Sequence, residues 1–412
     1  MKLSELSGKK ILIAGFGIEG KATFDFLRHA VPTAHIDVTD KTDGKDYLKR
    51  QDLYDVAIKS PGIQKREIRI PYTTATNIFF ANTKGVTIGV TGTKGKSTTS
   101  SLIYGILKEA GLKAHLVGNI GNPMLTELRL EEGKDDIYVC ELSSYQLDDI
   151  EYSPHIAVFI DFFPEHMDYH GSVDAYWQAK KRIVRFSKPS DYFIYNPTFE
   201  KLVGLAHDTK AKSIPYIPDL LFPDSDIPLL GKHNKDNVRA AVTVAKLLGI
   251  SPEAIHQAVA SFHPLPHRLE YIVTFREIAF YDDAISTTPQ STTYAIEAIE
   301  NVGTIFLGGQ DRGYDFADLV KILHIHNIRN LVLFPDSGEK IKALLATYPK
   351  GIFTILTTTS MEEAVKFAYT HTPKGYSCLL STASPSYSIW KNFVEKGNEF
   401  QRYIKEYESR AI

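Results

Sequence analysis

Gly89 to Leu107 reads GVTGTKGKSTTSSLIYGIL. The apolar run VTIGV feeds a glycine turn, and a helical apolar pattern follows. Lys96 and Ser97 stand at the start of that helix, where backbone amides point outward and the helix end carries partial positive charge. The lysine adds a mobile cation for terminal phosphates, and the Ser97 hydroxyl suits magnesium. A general phosphate-loop pattern wants glycine five places before Gly95, but Val90 stands there. TGTKGKST, with Gly92, Thr93, Lys94, Gly95 and Thr98 around the lysine, is therefore a variant with its own spacing. The competing interpretation is an ordinary glycine-rich turn between strand and helix.

Outward from this loop, strands alternate with helical stretches. KKILIAGFG, AHIDVTD, DVAIKSPG, DIYVCELSS and IAVFIDFF are apolar runs too short for helices, each ending in polar residues. The order implies an α/β protein with parallel sheets covered by helices. Ligands in such sheets bind beyond the C-terminal strand ends, so the polar residues after each strand are the candidates. NTKG (82–85) and FHPLPHRLE (262–270) mark boundaries, giving domains 1–83, 84–266 and 267–412. REIAFYDD opens the last domain's strand pattern, and the proline-rich segment 209–230 has no clear assignment.

GFGIEG, with Gly15, Gly17 and Gly20, matches a dinucleotide fingerprint, and Asp37 and Asp40 lie about twenty residues on. Alone it suggests a dinucleotide-dependent oxidoreductase, or mere close packing of helix on strand. Two nucleotide-type loops are better explained by two ligands: ATP at Lys96 and a diphosphate-bearing substrate at Gly15–Gly20.

Glu141 follows a strand and suits magnesium, or else caps a helix dipole. His166 and His170 are four apart; capping or surface roles compete with a zinc site. Lys180, beside Lys181 and Arg182, reads as basic helix surface. Asn234 and Asn237, at i and i+3, either contact a nucleotide or cap a helix. Over 412 residues the net charge is -2, which favours neither nucleic acid nor an acidic membrane. Two cysteines make no disulfide framework, and no apolar run reaches membrane-spanning length. A cytoplasmic monomer is expected.

Together these stretches resemble the Mur ligase family. The resemblance runs in order through GFGIEG, SPG, TGTKGKST, GNIG, ELSSYQL, EHMDYHG, QAKKRI, GKHNKDN, LPHRLE, LGGQDRGYDF and LSTASPSYSIWKNF. It implies a Rossmann-like UDP-binding domain, a central phosphate-loop ATPase domain with a parallel-rich sheet, and a C-terminal Rossmann-like α/β domain. It implies an ATP-dependent ligase adding glutamate to UDP-N-acetylmuramoyl-L-alanine through an acyl phosphate, with closure of the third domain excluding water. Gly15, Gly17, Gly20, Asp40, Lys41, Ser60, Pro61 and Gly62 would hold the UDP part; Asn119 and Ser143 would face the muramoyl-alanine end. Lys96 and Ser97 would bind phosphate and magnesium, with Glu141 and His166 as further magnesium ligands. Lys180 matches the family lysine that becomes carbamylated, an anion that helps hold a second magnesium. Asn234, Asn237, Arg268 and Asp283 would contact ATP. Thr287, Arg312, Ser386, Tyr387 and Phe393 would form the amino-acid pocket.

The chain departs from the family pattern mainly in the last domain. DAISTTP (283–289) stands where the family reads DSKATNP, so Ile285 replaces a lysine and Thr288 an asparagine. Arg312 replaces another lysine, and LSTASPS stands for LSPACAS. An arginine still pairs with a carboxylate, so an acidic amino acid is expected. D-glutamate is the first expectation; L-glutamate and other Mur-type substrates are the alternatives.

Overall fold

The computed structural model describes residues 1–130, 133–220 and 222–409. The unassigned stretch 209–230 includes residue 221, which lies outside them.

Three sheets organise the chain. The first joins β1 (Lys10–Ala14), β2 (His35–Thr39), β3 (Val56–Lys59) and β4 (Tyr72–Thr73) in the order β2-β1-β3-β4. The second joins β5 (Val86–Thr91), β6 (Ala114–Gly118), β7 (Ile137–Glu141), β8 (Ile156–Phe159), β9 (Tyr192–Tyr195) and β10 (Lys212–Pro215) in the order β10-β9-β8-β5-β7-β6. Both are wholly parallel. The third joins β11 (Glu270–Phe275), β12 (Ile278–Asp282), β13 (Val302–Gly308), β14 (Asn330–Phe334), β15 (Thr354–Thr357) and β16 (Ser377–Leu380) in the order β11-β12-β16-β13-β14-β15. Only β11, an edge strand, runs antiparallel to its neighbour.

The near-continuous apolar run of β5 follows from its place between β7 and β8, where both faces are covered. Part of the unassigned segment is β10, a short edge strand ending at Pro215, a position where a missing donor is tolerated.

The chain forms two compact units, residues 1–227 with 234–262, and residues 228–233 with 263–412. Within the first, one apolar cluster takes Ile13, Ile58 and Ile78 together with Met124, Leu147 and Phe159, so the first two sheets share a core. Lys59, at the tip of β3, is fully buried and pairs with Asp149 at 2.7 Å, tying those sheets together by charge as well. In the second unit, apolar clusters around Ile305 and Leu379 and around Phe280 and Phe306 cover the two faces of the third sheet.

Candidate active site

The phosphate loop leaves β5 at Thr91 and enters the helix Lys96–Glu109 through Gly95, whose φ of 75° is left-handed. A side chain there is doubly disfavoured, because a Cβ would lie 2.3 Å from Asn237 Oδ1. Asn237 thus abuts the loop; it accepts from Thr99 Oγ1 at 3.2 Å and donates to Asn234 Oδ1 at 2.9 Å. Lys96 Nζ donates back to the carbonyls of Gly92 and Thr93 at 3.1 and 2.9 Å.

The neighbouring strands bring their tips to the same place. Asp161, two residues past β8, accepts from the backbone amides of Thr93 and Lys94 at 2.5 and 3.0 Å. Glu141 ends β7, buried; its Oε1 accepts from Asn119 Nδ2 at 2.9 Å, while Oε2 has no partner. An orphaned buried carboxylate oxygen fits a hard divalent cation. His166 lies 3.1 Å through Nδ1 from the Tyr145 hydroxyl. Burial pushes its pKa down to about 4 despite Glu165, which leaves a neutral ring that can ligate. Ser97 is buried at the helix start. These donors suit magnesium.

Lys180 is not basic surface: it is buried, donating to Gly92 O at 2.6 Å, with its amine over the Tyr176 ring. Burial first, then Lys96, depress its pKa well below the usual lysine value. Lys94, Thr93 and Glu165 complete the loop's setting, with Lys94 paired to Glu165 at 2.7 Å. His170 bonds Ser144 Oγ through Nε2 at 3.0 Å. Among the described residues the ligand-type grouping is His267, Glu270 and Asp282, so the histidine pair 166 and 170 gathers no zinc-like set.

At the first sheet, the turn after β1 meets the SPG loop after β3, as the switch of strand order between them requires. Ser60 Oγ donates to Gly15 O at 2.9 Å, and Asp40 Oδ2 accepts from Phe16 N at 2.7 Å. Phe16 N–H and then Thr42 N–H hold the Asp40 carboxyl below its usual range. Lys41 is exposed. A cavity of about 400 Å³ is lined by Pro61, Gly62, Asn119 and Ser143, with Glu19, Tyr145 and Gln146 added. Burial pushes Glu19 up to about 7. Gly20 packs against the turn at Gly15, and Gly17 caps the helix Ile18–Ala30.

In the second unit, Asp283 is buried and its carboxylate accepts from Leu269 N, Ser286 Oγ and Ser381 Oγ at 3.2, 2.5 and 2.8 Å. Ser386 is buried with an unpartnered Oγ, next to exposed Tyr387. Arg312 is exposed and bonds Gln310 Oε1 at 3.4 Å. Thr287, Arg268 and Phe393 are half-buried. Sequence reading missed Asp161, Glu19 and Lys396; Asp161 had a signal, being the first polar residue after an apolar strand.

Residues 90–219 match the Mur ligase middle domain. The UDP-N-acetylmuramoylalanine–D-glutamate ligase of Thermoanaerobacter sp. (strain X514) is 29% identical over 455 residues, covering 98% of this chain and 99% of that protein. The enzyme of the same name from Christiangramia forsetii is 30% identical over 449 residues, covering 97% and 99%. Among solved structures, UDP-N-acetylmuramate-alanine ligase MurC from Thermotoga maritima superposes with a TM-score of 0.65 at 18% identity, over 98% of this chain and 100% of that one. MurF ligase from Thermotoga maritima in complex with ADP gives 0.64 at 14%, over 98% and 97%. Thirty per cent identity sustained along both chains means that this protein belongs to the Mur ligase family, ATP-dependent enzymes that form an amide bond.

Proposed function

We propose that the chain joins D-glutamate to UDP-N-acetylmuramoyl-L-alanine in peptidoglycan precursor synthesis. The observation that carries this reading is the convergence of the phosphate loop, Glu141, His166 and Lys180 at the ends of β5, β7 and β8. A carboxylate is a poor acyl donor. Its oxygen attacks the γ-phosphorus of ATP, the bond to the bridging oxygen breaks, and ADP leaves. The amino group of glutamate then attacks the acyl phosphate, a tetrahedral intermediate forms, the amine proton departs and phosphate is expelled.

Lys96 must swing from the Gly92 and Thr93 carbonyls to the phosphates, where it offsets the repulsion between two anions. Asp161 keeps the Thr93 and Lys94 amides in register while it does so. Glu141, His166 and Ser97 would hold magnesium, which neutralises the transferring phosphoryl group. The depressed pKa of Lys180 supports a neutral amine able to take up carbon dioxide as a carbamate, here a proposed modification. The UDP part belongs with Gly15, Gly17, Gly20, Asp40, Lys41 and Ser60–Gly62, and its acyl end in the cavity between Asn119 and Ser143. Asn234, Asn237, Arg268 and Asp283 are the proposed ATP contacts; Thr287, Arg312, Ser386, Tyr387 and Phe393 are the proposed amino-acid contacts. Domains at 1–83, 84–266 and 267–412, a monomer and a cytoplasmic location belong to the same reading. Among the described residues no helix is long and apolar enough to cross a membrane.

The test is ligation with each glutamate enantiomer, reading phosphate release and product mass. D-glutamate is expected to give product. Product from L-glutamate alone transfers the assignment to the L-specific reaction, as the departures at Ile285, Thr288 and Arg312 would then explain. No product from either sinks the reading.

A further inference from the structure

Lys396 is fully buried in the first turns of the helix Phe393–Ser409. Burying an ammonium is costly unless it is paired and hydrogen-bonded. Its Nζ lies 2.5 Å from Thr382 Oγ1, two residues past β16. The single hydrogen of Thr382 Oγ1 goes either to Ser384 O at 3.0 Å, within the loop that follows β16, or to Ser286 O at 3.4 Å, in the loop that follows β12, so the hydroxyl sits where the two loops meet. The carboxylates of Asp282 and Asp283 attract the same amine.

The helix sits directly on this knot. A Cβ at Gly397 would lie 2.2 Å from His267 Nδ1 and 2.7 Å from Asp282 Oδ2, so only glycine allows the approach. Asp282 Oδ2 accepts from His267 Nδ1 at 2.7 Å and from Gln401 Nε2 at 2.9 Å, and its Oδ1 accepts from Ala284 N at 2.9 Å. Gln401 Nε2 also reaches Glu270 Oε2 at 3.2 Å. Glu270 Oε2 also accepts from the His267 backbone amide at 2.8 Å, so both Asp282 oxygens, His267 Nδ1 and Glu270 Oε2 are already hydrogen-bonded within the protein. They read as a hydrogen-bonded knot rather than a cation site. The loop it secures carries Ser386, whose buried Oγ has no partner among the described residues.

We propose that Lys396 is a positioning residue for the amino-acid half of the reaction: its amine clamps the loop 382–386 onto the loop 282–288 and so fixes Ser386 for the incoming amino acid. This rests on the function proposed above. Nothing in the sequence pattern used for the site includes Lys396; its hydrogen bond goes to Thr382, and Asp283, a proposed ATP contact, acts on the amine through charge.

The full chain carrying Lys396→Met, with Lys396→Arg as the conservative control, tests it by steady-state kinetics and hydrogen exchange. Lys396→Met is expected to raise the KM for D-glutamate about tenfold, with the KM for ATP within about twofold. Lys396→Arg is expected to recover most of that loss. Peptides covering 381–388 are expected to exchange faster in Lys396→Met, while those of β5 and β7 do not change. If Lys396→Met does not fold, Thr382→Val removes the bonded hydroxyl at constant size and must give the same KM split. An unchanged glutamate KM, an equal rise in both KM values, or unchanged exchange at 381–388 overturns the clamp. Failure of the unmodified protein to ligate either enantiomer sinks the functional reading instead, and the exchange result still decides whether Lys396 holds the loop.

Discussion

Lys96 and Lys180 both donate to the carbonyl of Gly92, so one backbone oxygen of the loop serves two lysine amines. The first was readable from its own loop, the second through the family resemblance alone. Lys180 has Lys181 and Arg182 beside it, and a run of basic residues carries no sign of which one turns inward. Burial came from packing of the helix Val173–Lys181, on whose inner side Tyr176, Ala179 and Lys180 lie. Asp283 shows the same gap between a residue and its surroundings. Read as an ATP contact, it is buried among hydroxyls and an amide, and burial raises its pKa from 3.8 to about 6. The folded value lies above the unfolded one. Its favourable contribution is therefore complete below about pH 4 and is lost as pH rises through about 6. Asn cannot ionise and retains one acceptor and a donor for the hydroxyls. Urea unfolding from pH 4 to 8 should show Asp283→Asn gaining on the unmodified protein as pH rises, by at most about 3 kcal/mol. A gap between the two proteins that does not change with pH would show that Asp283 is ionised at little cost.

Strand β11 is among the elements that sequence patterning passed over. EYIVTF and IAFYD pair antiparallel, joined by Arg276 and Glu277 alone. Both turn residues have positive φ, 52° and 63°, which is the geometry of a two-residue turn matched to strand twist. The residues that normally announce such a turn are Asn and Gly, and neither is present, so two strands and their reversal looked like the approach to one strand. The parallel strands β1, β3, β5, β7 and β8 were legible because each is an apolar run closed by a polar tip. The hairpin's alternating strand β11 lies at an edge, half exposed, and lacks that signature. Replacing Arg276-Glu277 by Asn-Gly should stabilise the protein by about 1 kcal/mol, because those residues adopt positive φ with less strain. The pair Glu277–Lys374 at 2.7 Å is lost, but both side chains are largely exposed and such a pair is worth little. A thermal melt decides it: a lower Tm in the double variant means that the ion pair or the packing of Arg276 on Phe275 outweighs the turn.

At the scale of the whole chain, the α/β class with parallel-rich sheets was readable, and the packing that joins the first two sheets was not. The shared core of the first two sheets depends on Met124, Leu147 and Ile78 meeting across segments far apart in sequence. Likewise, residues 228–233 belong with the second unit although 234–262 belong with the first, and no composition shift marks that excursion. Two units with separate cores make a single two-state transition the wrong expectation for this chain. Ligand linkage can then assign the nucleotide to one of them. The phosphate loop, Glu141, His166 and Asn237 all lie in the first unit. Saturating ATP with magnesium, at about 100 times its Kd, stabilises whatever binds it by about 2.7 kcal/mol. For a unit of this size that is a rise of roughly 5–10 °C in its own transition. Calorimetry should therefore show the first unit's transition moving upward with ATP, and limited proteolysis at matched temperatures should find peptides of residues 86–215 protected, beside those around the proposed contacts Arg268 and Asp283. In Lys96→Ala the same scan should lose most of the shift while the transitions measured without ATP stay close to those of the unmodified protein, because the hydrogen bonds of Lys96 Nζ go to the loop's own carbonyls at Gly92 and Thr93. A full shift retained in Lys96→Ala, or protection appearing in peptides of 270–380 instead, would remove ATP from this loop and with it the acyl-phosphate route.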